Sequence, residues 1–371
     1  MIKRIPPKPY EAPLAIPPGF SIREMLDDLG MSQKDLAVRM GRPPQVINEI
    51  IQGKKAITAE TAAQLEMVLG MTQKYWLNRE ASYQAAKERI EREKSLSEDM
   101  NRLKNFPYLE LVERGFVPEA SGRSHSGRRQ RVVNLRRFLK VASFSALDDY
   151  INSFGLAARL ARTTSLKNEK LAVWLRLGEK QAEDEQWPIT TFKKRVLENS
   201  LSEVRKLSRE TDYNEIMRKL REIGEASGVV FLFVREFKGF PTKGMTVWMN
   251  QRPYITLTLH GKRWDMLWFT LFHEIGHVLL HERTIFIDGN NIETDGPLEN
   301  EANEFARDTL IAPREYKRLI AGSITPGAVI SFADQIGIDP SIVVGRLMRD
   351  GLIRNDSVRF QPLLRRVHWV E

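Results

Sequence analysis

The stretch that decides the C-terminal fold is Phe272-His273-Glu274-Ile275-Gly276-His277-Val278-Leu279-Leu280-His281, which holds three of the chain's six histidines. Helical residues advance by about 100° each, so His273 and His277 project from nearly the same face. Two imidazoles at this spacing can bind one zinc ion, and Glu274 can take a proton from water on that ion. The apolar flanks are typical of a buried helix, and Gly276 leaves room for another backbone to approach.

A later segment, Glu299-Asn300-Glu301-Ala302-Asn303-Glu304-Phe305-Ala306, contains candidates for a third metal ligand. If it is helical, Glu299 and Asn303 lie one turn apart on a face with two alanines, where a second helix can pack closely. Glu299 would complete a His-His-Glu site with water in the fourth position. Asn303 would hold a ligand in place. Glu301 points the opposite way and is the second choice.

Simpler interpretations exist for each of these residues. A buried helix can carry histidines that bond only to backbone or neighbours, and Glu299 can be an exposed carboxylate stabilised by a helix dipole. His281 shares the face of the first two histidines. It is a candidate support for the ligands, although a helix-end histidine favoured by the dipole is the simpler interpretation. The complete constellation favours a zinc site, with His273, His277 and Glu299 as ligands.

Length, cysteine content and net charge limit the classes of protein to which this chain can belong. A chain of 371 residues predicts two or three domains. The absence of cysteine excludes disulfides and thiolate metal sites and fits a cytoplasmic protein. No run of 18 apolar residues occurs and residues 1–7 lack a signal-peptide core, so we expect no membrane partner. The net charge of +9 suits a polyanionic partner such as nucleic acid.

Residues 20–70 predict a cluster of four short helices. Ser32 is a helix cap with Asp35 three residues on, and Pro43-Pro44 stand where a third helix begins. In that helix, apolar residues from 46 to 51 form one face and polar residues form the other. Such a pair of helices predicts a helix-turn-helix, whose second helix reads base edges in the major groove. A small helical interaction domain with a solvated polar face is the alternative.

Amide side chains on the second of these helices suit base edges, and nearby polar or basic side chains suit phosphates. The candidate DNA-binding residues are Gln33, Gln45, Asn48, Gln52, Lys54 and Lys55.

The rest of the chain predicts a helical region followed by a mixed α+β region. Residues 121–131 are basic and rich in Gly and Ser, which favours a loop or domain boundary. From 229 the pattern changes to strands, with one just before the histidine motif, where an edge strand could pair with an extended peptide. We therefore predict an all-α helix-turn-helix domain (1–85), a helical linker or middle region (86–222) and an α+β domain with a helical tail (223–371).

Residues 20–85 resemble the Cro/CI-type (XRE) helix-turn-helix domains of HigA-like antitoxins. The resemblance rests on Ser32-Gln33-Lys34-Asp35-Leu36-Ala37, Ile47-Asn48-Glu49-Ile50-Ile51-Gln52-Gly53-Lys54-Lys55, Ile57-Thr58-Ala59-Glu60-Thr61-Ala62 and Tyr75-Trp76-Leu77-Asn78. Pro43-Pro44 departs from the usual pattern of small hydroxyl residues, so base preference does not carry over.

Residues 225–350 resemble the ImmA/IrrE metallopeptidase family, through Trp268-Phe269, the histidine motif and Glu299-x-x-Ala302-Asn303-x-Phe305-Ala306. That resemblance implies that the C-terminal α+β domain is zincin-like and that His273, His277 and Glu299 bind Zn²⁺.

Together the two resemblances imply a DNA-binding regulator with a zinc metalloendopeptidase-like domain that cleaves a repressor or partner protein. The implied partners are operator duplex DNA, a protein substrate or toxin, and a second copy of the chain in a homodimer. One alternative is a HigA-type antitoxin that represses its own operon and neutralises a toxin by binding alone. Another is a ligand-sensing repressor that uses the middle region.

Overall fold

The computed structural model describes residues 14–153, 168–235, 237–238, 242–249, 251–259, 263–281, 286–289 and 296–367. The chain divides into two compact units, Met1–Asn101 and Arg102–Glu371. The domain boundaries predicted near residues 85 and 222 stay predictions. The predicted lack of a signal peptide concerns residues 1–7, which lie outside the described residues.

The first unit is a cluster of helices around one apolar core. Its helices are α1 (Gly19–Asp28), α2 (Gln33–Arg39), α3 (Pro44–Ile51), α4 (Ala59–Leu69) and the long α5 (Gln73–Arg102). Local sequence determines where they begin. The Ser32 hydroxyl accepts from the Asp35 amide at 3.1 Å while the Asp35 carboxylate accepts from the Ser32 amide at 3.2 Å, which forms a capping box. Helix α3 begins at Pro44, directly after Pro43, which confirms the predicted start of this helix at the two prolines.

The second unit is mainly helical. Its helices are α6 (Tyr108–Glu113), α7 (His125–Leu139), α8 (Phe144–Ser153), α9 (Asn168–Asp184), α10 (Lys194–Lys206), α11 (Tyr213–Ser227), α12 (Trp264–Leu280), α13 (Pro297–Leu310), α14 (Pro313–Ile320), α15 (Pro326–Ile336) and α16 (Pro340–Arg349). The loop predicted at 121–131 is wrong in part, because α7 begins inside it. Ser124 caps that helix by accepting from the Gly127 amide at 3.0 Å, and buried Val132 and Leu135 fix its inner side.

A four-stranded mixed sheet packs against α12. Its strands are β1 (Val230–Phe233), β2 (Thr242–Met249), β3 (Arg252–Leu257) and β4 (Phe286–Gly289), in the order β1-β3-β2-β4. β1 pairs with β3 in parallel, and β2 is antiparallel to both β3 and β4. The strand that precedes α12 is therefore interior, and the predicted edge strand at that position is wrong. β1 pairs in parallel with the side of β3 that does not face β2. Among the described residues, β1 and β4 are therefore the edge strands of the sheet.

Helix α12 lies in the middle of the apolar core of the second unit. The buried side chains of this core include Phe231, Ile255, Trp264, Trp268, Phe272, Phe332 and Leu347. Among the described residues, no single helix has the length and apolar character needed to cross a membrane, while α15 with α16, bent by 118°, passes that test by length and composition.

Candidate functional site

Helices α12 and α13 approach each other closely at the histidine motif. A Cβ atom added at Gly276 would lie only 3.3 Å from the Cα of Ala302, so a larger residue there would push the helices apart. Ala302 and Ala306 are both fully buried at this contact. The predicted role of Gly276 as a point of close backbone approach is confirmed.

Three side chains from these two helices converge on one point. Oε2 of Glu299 lies 3.2 Å from Nε2 of His273 and 3.4 Å from Nε2 of His277. The two Nε2 atoms are 3.0 Å apart. Tetrahedral zinc with bonds of about 2.0–2.1 Å separates adjacent ligand atoms by about 3.3 Å. Within the described residues, these three are the group that could hold a metal ion, and their donor set fits zinc.

Each histidine has a hydrogen-bond partner on its other nitrogen. Nδ1 of His273 lies 3.1 Å from Oδ1 of Asn303, an amide oxygen that accepts, so the proton belongs on Nδ1 and the Nε2 lone pair faces Glu299. Nδ1 of His277 lies 2.9 Å from Nδ1 of His281, whose Nε2 is 3.3 Å from a Glu301 carboxylate oxygen. The structure thus places Asn303 and His281 beside the two imidazoles, and Glu301 outside the three-residue cluster.

The surroundings of the cluster favour a neutral imidazole beside a charged carboxylate. Burial lowers the pKa of His277 from 6.5 to about 4, and the hydrogen bond with Glu299 opposes this only in part. Burial acts to raise the pKa of Glu299, but the imidazoles of His273 and His277 beside its carboxylate outweigh this effect and lower that pKa to about 2. These are the protonation states in which such groups bind a cation.

The Glu274 carboxylate is fully buried and is held by the sheet. The Thr246 hydroxyl of β2 donates to its Oε2 at 2.6 Å. A Cβ atom at Gly244 would lie 2.6 Å from its Oε1, so this glycine makes space for the carboxylate. Sequence reasoning missed both residues. Thr246 lies between the apolar residues Met245 and Val247, but no local sequence signal indicates which helix its side chain faces.

A cavity of about 740 Å³ opens beside His273. Its size lies within the range of about 300–1,000 Å³ that is typical of ligand pockets. Phe269, Asn303 and Arg307 line it together with Arg349, whose guanidinium lies 5.0 Å from the centroid of the Phe269 ring. The cavity can therefore hold a chain segment next to the cluster.

The polar side of α3 in the first unit is open to solvent. Its apolar side is buried through Ile47, Ile50 and Ile51. The exposed side chains on α2, α3 and the following turn include Gln33, Gln45, Asn48, Gln52, Lys54 and Lys55. Two amides are tied within the helix, since Gln45 donates to Glu49 at 3.1 Å and Gln52 donates to Asn48 at 3.0 Å. A base edge that contacts them would replace these exposed bonds.

Comparison with known proteins identifies two families in the chain. A helix-turn-helix family model matches residues 22–77, and a model of the IrrE N-terminal-like domain, a peptidase family, matches residues 227–328. The chain is 34% identical over 89 residues to the HTH-type transcriptional regulator YddM of Escherichia coli, with 24% of this chain and 88% of that protein covered. It is 39% identical over 80 residues to virulence-associated protein I of Dichelobacter nodosus, with 21% and 73% covered.

A solved structure also matches, that of an addiction module antidote protein of the HigA family from Coxiella burnetii. The identity is 30%, the match covers 24% of this chain and 94% of that chain, and the TM-score is 0.21.

Proposed function

Because the chain belongs to the helix-turn-helix regulators and carries an IrrE N-terminal-like domain, we propose that this DNA-binding regulator uses its second unit as a zinc-dependent endopeptidase. The observation that supports the enzymatic part is the convergence of His273, His277 and Glu299 beside the buried Glu274. A repressor or another protein partner is the proposed substrate.

His273, His277 and Glu299 would hold the zinc ion, which when bound lowers the pKa of water to about 7. Glu274, kept in place by Thr246, takes the proton of the attacking water and passes it to the leaving amine. Asn303 and His281 keep the two imidazole lone pairs directed at the metal position. The adjoining cavity binds the polypeptide around the scissile bond.

For the first unit we propose operator duplex DNA as the ligand. The outer side of α3 would enter the major groove, with Gln45, Asn48 and Gln52 directed at base edges. Gln33 and the pair Lys54 and Lys55 would bind phosphates. A homodimer would place two such helices on two half-sites of the operator.

Metal analysis of the purified full chain tests the proposed site. We expect one zinc ion per chain. His277→Ala should lose it, because only two of the three protein donors, His273 and Glu299, remain. His125→Ala is the matched control, since it removes an exposed histidine on α7. Equal zinc content in the two variants would contradict the assignment.

Hydrolysis is tested separately with Glu274→Gln, which keeps the size of the side chain and removes its basicity. A peptide library analysed by mass spectrometry should show cleavage by the zinc-loaded chain and a loss of at least about 100-fold in the variant. If the chain instead acts on its partner by binding alone, as an antitoxin does, Glu274→Gln will retain full control of that partner.

A further inference from the structure

The cavity beside His273 has a positively charged lining. The described residues that line it include five Lys and Arg side chains and three Asp and Glu side chains. Each of these acids forms an ion pair with an arginine of the same lining: Arg263 with Asp265 at 2.6 Å, Arg346 with Asp350 at 2.7 Å and Arg307 with Glu304 at 3.7 Å. The two remaining cations, Lys243 and Arg349, form no ion pair with any described residue. The acids of the lining therefore leave two positive charges unneutralised.

Arg349, the last residue of α16, is held beside an aromatic ring. Its guanidinium carbon lies 5.0 Å from the centroid of the Phe269 ring, which is a cation–π contact. This contact restricts the side chain but gives its N–H donors no oxygen acceptor. The carboxylate of the next residue, Asp350, already accepts from Arg346 Nε at 2.7 Å and from the Tyr316 hydroxyl at 2.5 Å. The guanidinium of Arg349 can therefore bind a carboxylate that enters the cavity, through two parallel N–H donors.

The Phe269 ring also connects Arg349 to the metal cluster. It is stacked on the ring of His273, with the two centroids 6.4 Å apart and an angle of 28° between the planes. Arg349, Phe269 and His273 thus form a series of neighbouring groups that leads from the cavity wall to a proposed zinc ligand. Extended polypeptide advances about 3.3 Å per residue. A substrate residue in contact with Arg349 therefore lies within about three residues of a peptide bond at the metal position.

Lys243 adds a second cation from β2. Its carbonyl accepts from the Thr258 amide at 2.8 Å, which fixes the backbone at this position. Its side chain is half-buried in the cavity lining. The next residue, Gly244, is the one that makes space for the Glu274 carboxylate. The strand that holds Glu274 thus also places an ammonium group in the cavity, where partial burial strengthens its attraction for an anion.

We propose that Arg349 and Lys243 recognise a carboxylate of the polypeptide substrate, within about three residues of the scissile bond. This inference rests on the proposed function, in which the cavity binds the polypeptide to be cut. The carboxylate belongs to an Asp or Glu side chain or to the C-terminus of the substrate. Arg349 binds it through its planar pair of donors, and Lys243 attracts it by charge. The substrate class is thereby narrowed to proteins that carry an acidic group close to the cleavage site.

The test measures peptide binding to the zinc-loaded full chain with Glu274→Gln, which binds peptides without cutting them. The probes are short labelled peptides, amidated at the C-terminus, with one Glu placed at each position in turn among uncharged residues. In the matched peptides Gln replaces that Glu. At the best position the Glu peptide should bind about tenfold more tightly by fluorescence anisotropy. Addition of Arg349→Gln or Lys243→Gln should each lower this ratio about threefold, and both together should bring it close to one.

The matched control is Arg195→Gln, which removes an exposed arginine of α10 outside the cavity lining and should leave the ratio unchanged. Arg349→Lys keeps the charge and should retain a clear preference for Glu. Sodium chloride should reduce the ratio, because salt screens partly exposed ion pairs. A Gln peptide with a free C-terminal carboxylate identifies the source: if it binds more tightly than the amidated Glu peptides, the recognised group is the chain end. A ratio near one at every position and for the free C-terminus, or an equal loss in Arg195→Gln, would overturn the proposal.

Cleavage products separate this inference from the proposed function. Sites cut by the zinc-loaded wild type in a peptide library should be enriched in Asp or Glu within about three residues of the cut. Arg349→Gln should lose that enrichment. Hydrolysis without any acidic preference would overturn the inference and leave the peptidase intact. A Glu preference in binding without hydrolysis by the wild type would refute the peptidase and leave the carboxylate site intact.

Discussion

The hydrogen bond between His273 and Asn303 determines how firmly the proposed zinc ion is held. Its Nδ1–Oδ1 distance is 3.1 Å and His273 is only 4% exposed, so water does not readily replace a lost partner. A hydrogen bond of this kind contributes about 0.5–1.5 kcal/mol, and loss of a residue that orients a ligand lowers metal affinity by about 10–100-fold. We therefore expect Asn303→Ala to raise the dissociation constant for Zn²⁺ by about tenfold.

The assay is a competition titration of the metal-free chain with zinc and a chromophoric chelator at neutral pH. Asn300→Ala is the matched control, because Asn300 has the same side chain, lies on the same helix and lines the same cavity. Its affinity should equal that of the wild type. An unchanged affinity in Asn303→Ala, or the same weakening in both variants, would refute the argument that Asn303 orients His273.

Three further outcomes follow from the same structure. Gly244→Ala should displace the Glu274 carboxylate, because the added Cβ would lie 2.6 Å from its Oε1. Peptide hydrolysis should fall by about 100-fold while the zinc content stays unchanged. Loss of zinc in this variant would contradict the prediction. The pKa of His277 is lowered from 6.5 to about 4, so the unfolded metal-free chain binds this proton more tightly, and the melting temperature should fall as the pH drops through that window; a curve of the same shape in His277→Gln would disprove the assignment. Asn48→Ala should weaken operator binding by about 1–3 kcal/mol with a smaller effect on random duplex, and equal losses would exclude base readout by Asn48.

Local sequence signals predicted the first unit well. The Ser32 cap, the two prolines at the start of α3 and the apolar positions of that helix act within a few residues of the chain, so no knowledge of distant contacts is needed. The same is true of α12, where helical periodicity alone brings His273 and His277 to one face. The loop predicted at 121–131 failed because composition favoured a loop, whereas tertiary burial of Val132 and Leu135 stabilises a helix there.

Local sequence signals could not predict the contacts between elements that are far apart in the sequence. The position of β3 inside the sheet depends on pairing with β1, which lies more than 20 residues earlier in sequence. The bond from Thr246 to Glu274 joins a strand and a helix 28 residues apart. His281 looked like an ordinary helix-end residue until its ring was placed beside that of His277.

By itself the sequence determined which side chains can supply metal donors, and on which helix faces they lie, because donor chemistry and helical period are local properties. Only the tertiary structure decided that Glu299 joins the two imidazoles while Glu301 stays outside the cluster. That choice depends on how closely α12 and α13 approach at Gly276 and Ala302, and the packing of the whole second unit sets this approach.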